Sequence, residues 1–339
     1  MKTKRTLTAL LMGSALALAV TAAPSFANDK VKAGVVRSMG GSPNFVAKEK
    51  GFFAEQGIDV DIVFFDSAQP ISVAVASGDC DVGTTGVTAA FFNLAAQGTL
   101  RIIGSGTWEH PGFQSIGYVV SNQAYDAGLH SLKDIAGKKA AITQSGTPLQ
   151  YAIALAAEKY NIDYSKIQVL LLQSNPNVGT ALTGGQTDFA VQTVVPAYSV
   201  INKGGAKLLG WEGDEVENAQ NEAFFTSVKM MNERADVLKR YLVGYRKAMT
   251  YLHDAFADSN DKRRDGPNAA EAEQIAAKNL DQPLAQIKLG VPFFDQQGRL
   301  VEQDFVKLAA WYKSQGMIKG DIDVGAMIDR RDAIPYPKK

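Results

Sequence analysis

The residues best suited by type to do chemistry are short hydroxyl- and glycine-rich runs standing where apolar strands end. Ser145-Gly146-Thr147-Pro148 follows one such strand and opens a helix. Free backbone N–H groups and the positive end of the helix dipole favour a carboxylate, sulfonate or phosphate there, by about 0.3–1 kcal/mol when exposed and by more when dry. A capped helix start needs no ligand, so the loop alone leaves both readings open. Thr84, Thr85 and Gly86 read as a matching helix start, with Thr85 as its cap. Ser38, Gly40 and Gly41 form a third cluster, and Asn175 caps a helix that Pro176 starts. Thr193 closes a further apolar strand. Arg37 is the only cation on these loops; its guanidinium suits either an oxyanion or an ion pair between lobes. Trp108, beside Glu109 and His110, could stack on a planar ligand or simply stiffen a chain crossing.

Other chemistries find little support. Cys80 lies inside a turn with no His on a neighbouring segment, so it reads as a small buried hydrophobe rather than a nucleophile. Three His and one Cys cannot assemble a His/Cys metal site by spacing, and no phosphate-binding glycine fingerprint for a nucleotide cofactor is present. The 35 basic and 35 acidic residues are interspersed, which leaves no basic footprint for nucleic acid. Residues 1–27 read as a secretory leader: Lys2, Lys4 and Arg5 precede the apolar run Leu7 to Val20, and Ser25-Phe26-Ala27 offers a cleavage pattern. An exported chain with a single cysteine has no internal disulfide to lean on, so its stability must come from its core.

The elements that must position these loops come in two copies. Ser77-Gly78-Asp79-Cys80-Asp81-Val82 and Gly184-Gly185-Gln186-Thr187-Asp188-Phe189 share one grammar: a helix stopped at glycine, an acidic turn, then a brief apolar strand. Aligning Gly78 with Gly185 brings Asp81 onto Asp188. Before the first copy, Val31 to Val36, a helix from Ser42-Pro43 and Val60 to Phe65 make a right-handed βαβ unit. The repeat predicts two similar α/β lobes whose strand-end loops face each other across a cleft. The expected boundaries are 28–111 for the first part of lobe one, 112–224 for lobe two and 225–339 for the return to lobe one.

Several of these stretches, in order, resemble a known family. Ala47-Lys48-Glu49-Lys50-Gly51-Phe52-Phe53, Gln56-Gly57-Ile58, Ala76-Ser77-Gly78-Asp79, Ser131-Leu132-Lys133-Asp134-Ile135 and the tail Leu308-Ala309 to Trp311 look like the solute-binding proteins of ABC importers. The subgroup is the one that includes nitrate, sulfonate, taurine and thiamine-pyrimidine binders. The resemblance implies a two-lobed periplasmic-binding-protein-like fold (type II) with a discontinuous first lobe. It also implies a monomer, a periplasmic location, an inner-membrane ABC permease as partner, no cofactor and no catalysis. The cysteine-rich motif of the fungal pyrimidine-forming enzymes of the same superfamily is missing here, which argues against carrying over their chemistry.

The resulting expectation is a binder that captures a small organic anion, of the sulfonate or aromatic carboxylate class, by hinge closure. Its ligand contacts are expected from Arg37, Ser38, Gly41, Thr84, Thr85 and Trp108 on one side and from Ser145, Thr147, Asn175 and Thr193 on the other. The alternatives are a periplasmic enzyme of the same superfamily, which would need a convergent acid and base, or a ligand sensor for a membrane receptor.

Overall fold

The computed structural model describes residues 28–216, 219–220 and 222–337; the leader expected over residues 1–27 lies outside the described residues. The strands, in chain order, are β1 (Asp29–Val36), β2 (Ile58–Phe65), β3 (Val82–Gly86), β4 (Leu100–Ser105), β5 (Thr107–Trp108) and β6 (Ile116–Ser121). They continue as β7 (Lys139–Ile142), β8 (Gln168–Leu171), β9 (Phe189–Thr193), β10 (Ala206–Trp211), β11 (Glu222–Ser227) and β12 (Phe293–Phe294).

Two five-stranded sheets result, with orders β2-β1-β3-β11-β4 and β8-β7-β9-β6-β10, and a small β5–β12 ladder accompanies them. Read this way, the two sheets superpose element for element. In each, the first three strands are parallel, the fourth runs antiparallel to the third, and the fifth runs antiparallel to the fourth. The antiparallel members, β6 and β11, are the strands on which the chain arrives after crossing from the other sheet.

The repeated acidic turn has one physical job in both lobes. The Asp81 carboxylate accepts the Lys32 backbone N–H at 2.8 Å, and the Asp188 carboxylate accepts that of Lys139 at 2.7 Å. In both lobes the Asp backbone N–H also donates to the carbonyl of that same lysine, at 2.9 Å. Each Asp thus clips one strand, β1 or β7, to the turn before its parallel neighbour, β3 or β9. Gly78 and Gly185 take left-handed φ of +89° and +69° just upstream, which a side chain would strain. Asp81 carries an extra partner, Arg234 at 2.7 Å, so Asp188 is the cleaner test. Asp188→Ala is expected to lower stability by about 1–2 kcal/mol, because the Lys139 N–H loses its acceptor. Asp188→Asn should keep most of it, and urea unfolding of the pair checks this.

The long helix Ala235–Phe256 returns the chain across the first sheet. Tyr241 and Tyr245 stack on Phe224 with ring centroids 5.6 and 4.4 Å apart, and Tyr241 also stacks on Phe53 at 4.4 Å. The Tyr241 hydroxyl donates to Asn44, whose amide in turn donates to the Thr84 hydroxyl at 3.2 Å. Buried hydroxyls and an amide satisfied in a chain of this kind fix the first helix against the third strand.

Several expectations about element ends need correction. Thr84, Thr85 and Gly86 are not a helix start; they are the last residues of β3, and Thr88 caps the following helix Ala89–Ala96. The first helix is capped at Gly41, so Ser42 is its first residue. Ser174, not Asn175, caps Asn175–Thr183 by accepting the Asn177 N–H. β8 is an edge strand with exposed ends. The returning strand β11 begins at Glu222, ahead of the boundary expected after residue 224.

Candidate binding site

The loops at the ends of equivalent strands meet between the lobes. A cavity of about 60 Å³ is lined by Ser38 after β1, Ser67 after β2, and Thr85 and Gly86 at the end of β3. From the other lobe come Thr143 and Thr147 after β7, Asn175 after β8 and Thr193 at the end of β9. Even the antiparallel strands contribute in parallel fashion, through Glu222 at the start of β11 and Ser115 just before β6. It opens into a larger cleft of about 460 Å³ that shares Val36, Asp66 and Asn175 and adds Arg37 and Lys203.

Four helices start beside this space, with part of their first-turn donors already spent: the Val194 N–H donates to the Ser115 carbonyl at 2.9 Å, and Pro70, Pro148, Pro176 and Pro196 carry no N–H. They belong to Ala68–Ser77, Pro148–Lys159, Asn175–Thr183 and Val194–Ile201, capped at Ser67, Thr147, Ser174 and Thr193. Only Ser174 makes a side-chain hydrogen bond to its own helix; the other three caps make none. Thr147 instead donates its hydroxyl to the Gln144 carbonyl at 3.0 Å. The N–H groups that remain free, together with the dipoles of four helix starts at one cavity, suit a small group with anionic or carbonyl oxygens.

Of the ten residues expected to touch ligand, the cavity brings together Ser38, Thr85, Thr147, Asn175 and Thr193. Arg37 stands in the outer cleft, its guanidinium 4.2 Å from the centre of the Phe64 ring. The other four are engaged elsewhere. Thr84 is buried as the acceptor of the Asn44 amide. Gly41 faces inward, where an added Cβ would come within 2.7 Å of the Phe45 ring. The Ser145 hydroxyl donates to Gln150 at 3.1 Å, closing its own loop. Trp108 is 2 % exposed and packs edge-on against Phe293 and Tyr336, so it is a core residue of the β5–β12 ladder rather than a stacking platform. Nearby, His110 lies against the Phe293 ring and its Nδ1 meets the Pro111 carbonyl at 3.2 Å.

Sequence reasoning missed Glu222. Its carboxylate accepts both the backbone N–H of Thr107, at 3.1 Å, and the Thr107 hydroxyl. It sits against Gly40 and Gly106, where an added Cβ would approach Oε2 to 2.5 and 3.1 Å. Desolvation raises its pKa above the ordinary carboxylate value, and the two Thr107 hydrogen bonds only partly oppose this. The one sequence signal was an acid standing directly before an apolar strand. Two further carboxyls lie buried where the chain crosses between lobes. Glu109 is pushed up to about 8 by burial, and Glu212, with neither oxygen hydrogen-bonded, is raised well above the usual range by burial and by Glu109. Cys80 is buried, and desolvation pushes its thiol up to about 11, away from nucleophilic use at neutral pH.

Comparison with known proteins agrees with this architecture. Residues 41–255 match the family model described as NMT1/THI5 like. A Brucella abortus (strain 2308) protein named "Putative binding protein" is 30% identical over 181 residues, which are 52% of this chain and 52% of that protein, so the match spans about half the length of such curated relatives. Among solved structures, the ligand-binding component of an ABC-type import system from Staphylococcus aureus aligns with a TM-score of 0.73 at 10% identity, over 89% of this chain and 97% of that one. The alkanesulfonate-binding protein SsuA from Xanthomonas axonopodis pv. citri gives 0.70 at 18% identity, over 90% and 99%. The nitrate-binding protein NrtA from Synechocystis PCC 6803 gives 0.69 at 15% identity, over 90% and 87%. At these identities the likeness is one of fold. With the family model covering well over half of its length, this chain belongs to the NMT1/THI5-like family, on a two-lobed periplasmic-binding-protein fold.

Proposed function

We propose that this chain is the periplasmic solute-binding component of an ABC importer, capturing a small solute by closing its lobes and presenting it to the permease. The observation that carries the reading is the cavity itself. Equivalent strand-end loops from two duplicated lobes converge on it, and four helix N-termini supply neutral donors for an oxygen-rich head group. A two-lobed shape with its site between the lobes suits ligand-driven closure, since a solute that touches both faces binds the closed form better than the open one. The lobe boundaries 28–111, 112–224 and 225–339, with the second crossing moved just ahead of Glu222, belong to this proposal, as do export through residues 1–27 and a monomeric state.

The head group favoured is a carboxylate or sulfonate. The aromatic half of the expected ligand class rested on Trp108, and with that side chain packed in the core it has no support from the site. A periplasmic enzyme is the weaker reading. The cavity offers hydroxyls, one amide and the carboxyls of Asp66 and Glu222, with no His, Lys or Cys among its described lining residues to partner them in acid–base work.

A thermal-shift panel of small sulfonates, carboxylates, nitrate, amino acids and pyrimidines, run on the chain from Asn28 onward, tests the proposal. A solute at 100 times its dissociation constant is expected to add roughly 2.7 kcal/mol of stability. Unchanged solute recovered after incubation separates binding from turnover. A folded, ligand-free protein that responds to none of these classes would overturn the reading.

A further inference from the structure

The electrostatics of the inner cavity do not match a simple anion. Its described lining contains no Lys, Arg or His, and its two ionisable groups are both acids, Asp66 and Glu222. Arg37 and Lys203 line only the outer cleft. Glu222 is held in place rather than loosely tethered. Oε2 takes both donors of Thr107, and Gly40 and Gly106 leave the room in which the carboxyl lies. Oε1 accepts no hydrogen bond from any described residue. Asp66 stands where the cavity opens into the cleft. Glu222 is half-buried, so its free oxygen faces the cavity and its water, and a solute that displaces that water must donate in its place. A nitrate or an alkanesulfonate with no N–H would bring a second negative charge against it and leave it unsatisfied.

We infer that the solute presents an N–H-bearing, preferably cationic, nitrogen to Oε1 of Glu222 while its oxygen-rich head group sits at the helix N-termini, so that Glu222 decides which solutes are accepted. This rests on the binding role proposed above and narrows it from organic anions to small amphoteric solutes. The helix ends supply the positive potential for one end of such a molecule, and the carboxylate supplies the negative potential for the other. Specificity of this kind works largely by rejection, because an analogue without the nitrogen leaves a buried acceptor unpaired.

The test uses matched pairs differing by one amino group: 2-aminoethanesulfonate against ethanesulfonate, 3-aminopropanoate against propanoate, and 4-aminobutanoate against butanoate. Calorimetry on the wild-type protein is expected to show the amino-bearing member of the accepted pair binding at least tenfold more tightly. Glu222→Gln, isosteric and still able to accept from Thr107, is expected to erase that preference, in part by raising the affinity for the des-amino members. The wild-type ratio needs no variant, so poor folding of Glu222→Gln would not blunt the test. Equal or tighter binding of the des-amino members overturns this inference alone and leaves the binding role standing. Binding of neither series, together with a flat thermal-shift panel, overturns both.

Discussion

Moved from pH 5 to pH 8, the protein is expected to lose several kcal/mol of stability, and Glu109→Gln is expected to remove part of that loss while leaving the share that Glu212 carries. Glu109 is 1 % exposed; one oxygen accepts the Ile116 N–H at 3.4 Å and the other has no partner. Burial pushes its carboxyl up to about 8 from an ordinary value near 4.5. Between those two values the folded chain keeps a proton that the unfolded chain has released. Stability therefore falls as pH rises through the window, by at most about 1.4 kcal/mol per pH unit for one such group, and levels off above the folded value. Glu212, fully buried with both oxygens unpartnered, pushes in the same direction, and the charge of Glu109 raises it further. The groups facing the pair are acidic or neutral: Glu222, whose charge adds to the upward push on Glu109, and Tyr118. Lys159 is already paired with Glu215 at 2.6 Å, and Lys307, which shares a pocket with Glu212, stands 3.7 Å from Asp304.

Both carboxyls sit in the crossings between the lobes. The Glu109 N–H donates to the Ala219 carbonyl at 2.8 Å, and Gly213 lies so close to the His110 backbone that a Cβ there would come within 2.9 Å of its carbonyl oxygen. The two connections thus brace one another around groups that must stay protonated to remain dry. Melting curves of wild type, Glu109→Gln and Glu212→Gln from pH 5 to pH 9 read this out. Parallel curves for all three would mean that the carboxyls are charged in the folded protein and compensated.

Much of this architecture was legible because it is local. A glycine after a helix, an acid three residues on, and a short apolar strand fix a turn whatever surrounds it, and Asp81 and Asp188 play the same part in both lobes. Strand-end loops could be named as the lining of the cavity between the lobes for the same reason. The misplacements share a cause too, since each depended on a partner far away in sequence. Thr84 to Gly86 carry small and hydroxyl residues fit for a helix cap, but β1 and β11 claim them as a strand. Trp108 reads as an exposed aromatic at a crossing until Phe293 and Tyr336, from far along the chain, cover it. Glu222 reads as the polar lead-in to a strand, and only the chain folding back on Thr107, Gly40 and Gly106 turns it into the acid of the cavity.

Gly86→Val is expected to weaken solute binding by at least tenfold, about 1.4 kcal/mol, while leaving the melting temperature without solute nearly unchanged. In this structure the lobes touch. The Ala89 N–H donates across to the Gly146 carbonyl at 2.9 Å, Trp311 lies 5.3 Å from Tyr151 and 5.8 Å from Tyr164, and Gly86 meets Pro148. A Cβ on Gly86 would stand 2.9 and 3.1 Å from the Pro148 ring, and its three nearest heavy atoms all belong to that proline. Pro148 is the first residue of a twelve-residue helix, with little freedom to move aside. Within its own lobe Gly86 meets no such obstacle, so valine there costs little until the lobes come together. The substitution therefore acts as a wedge that penalises the closed form alone, and a solute bound between the lobes loses that penalty from its affinity. Small-angle scattering at saturating solute should show wild type contracting and Gly86→Val staying open. Wild-type affinity in the wedge variant would mean that the solute binds to one lobe without closure, and the importer mechanism proposed here would fall with it.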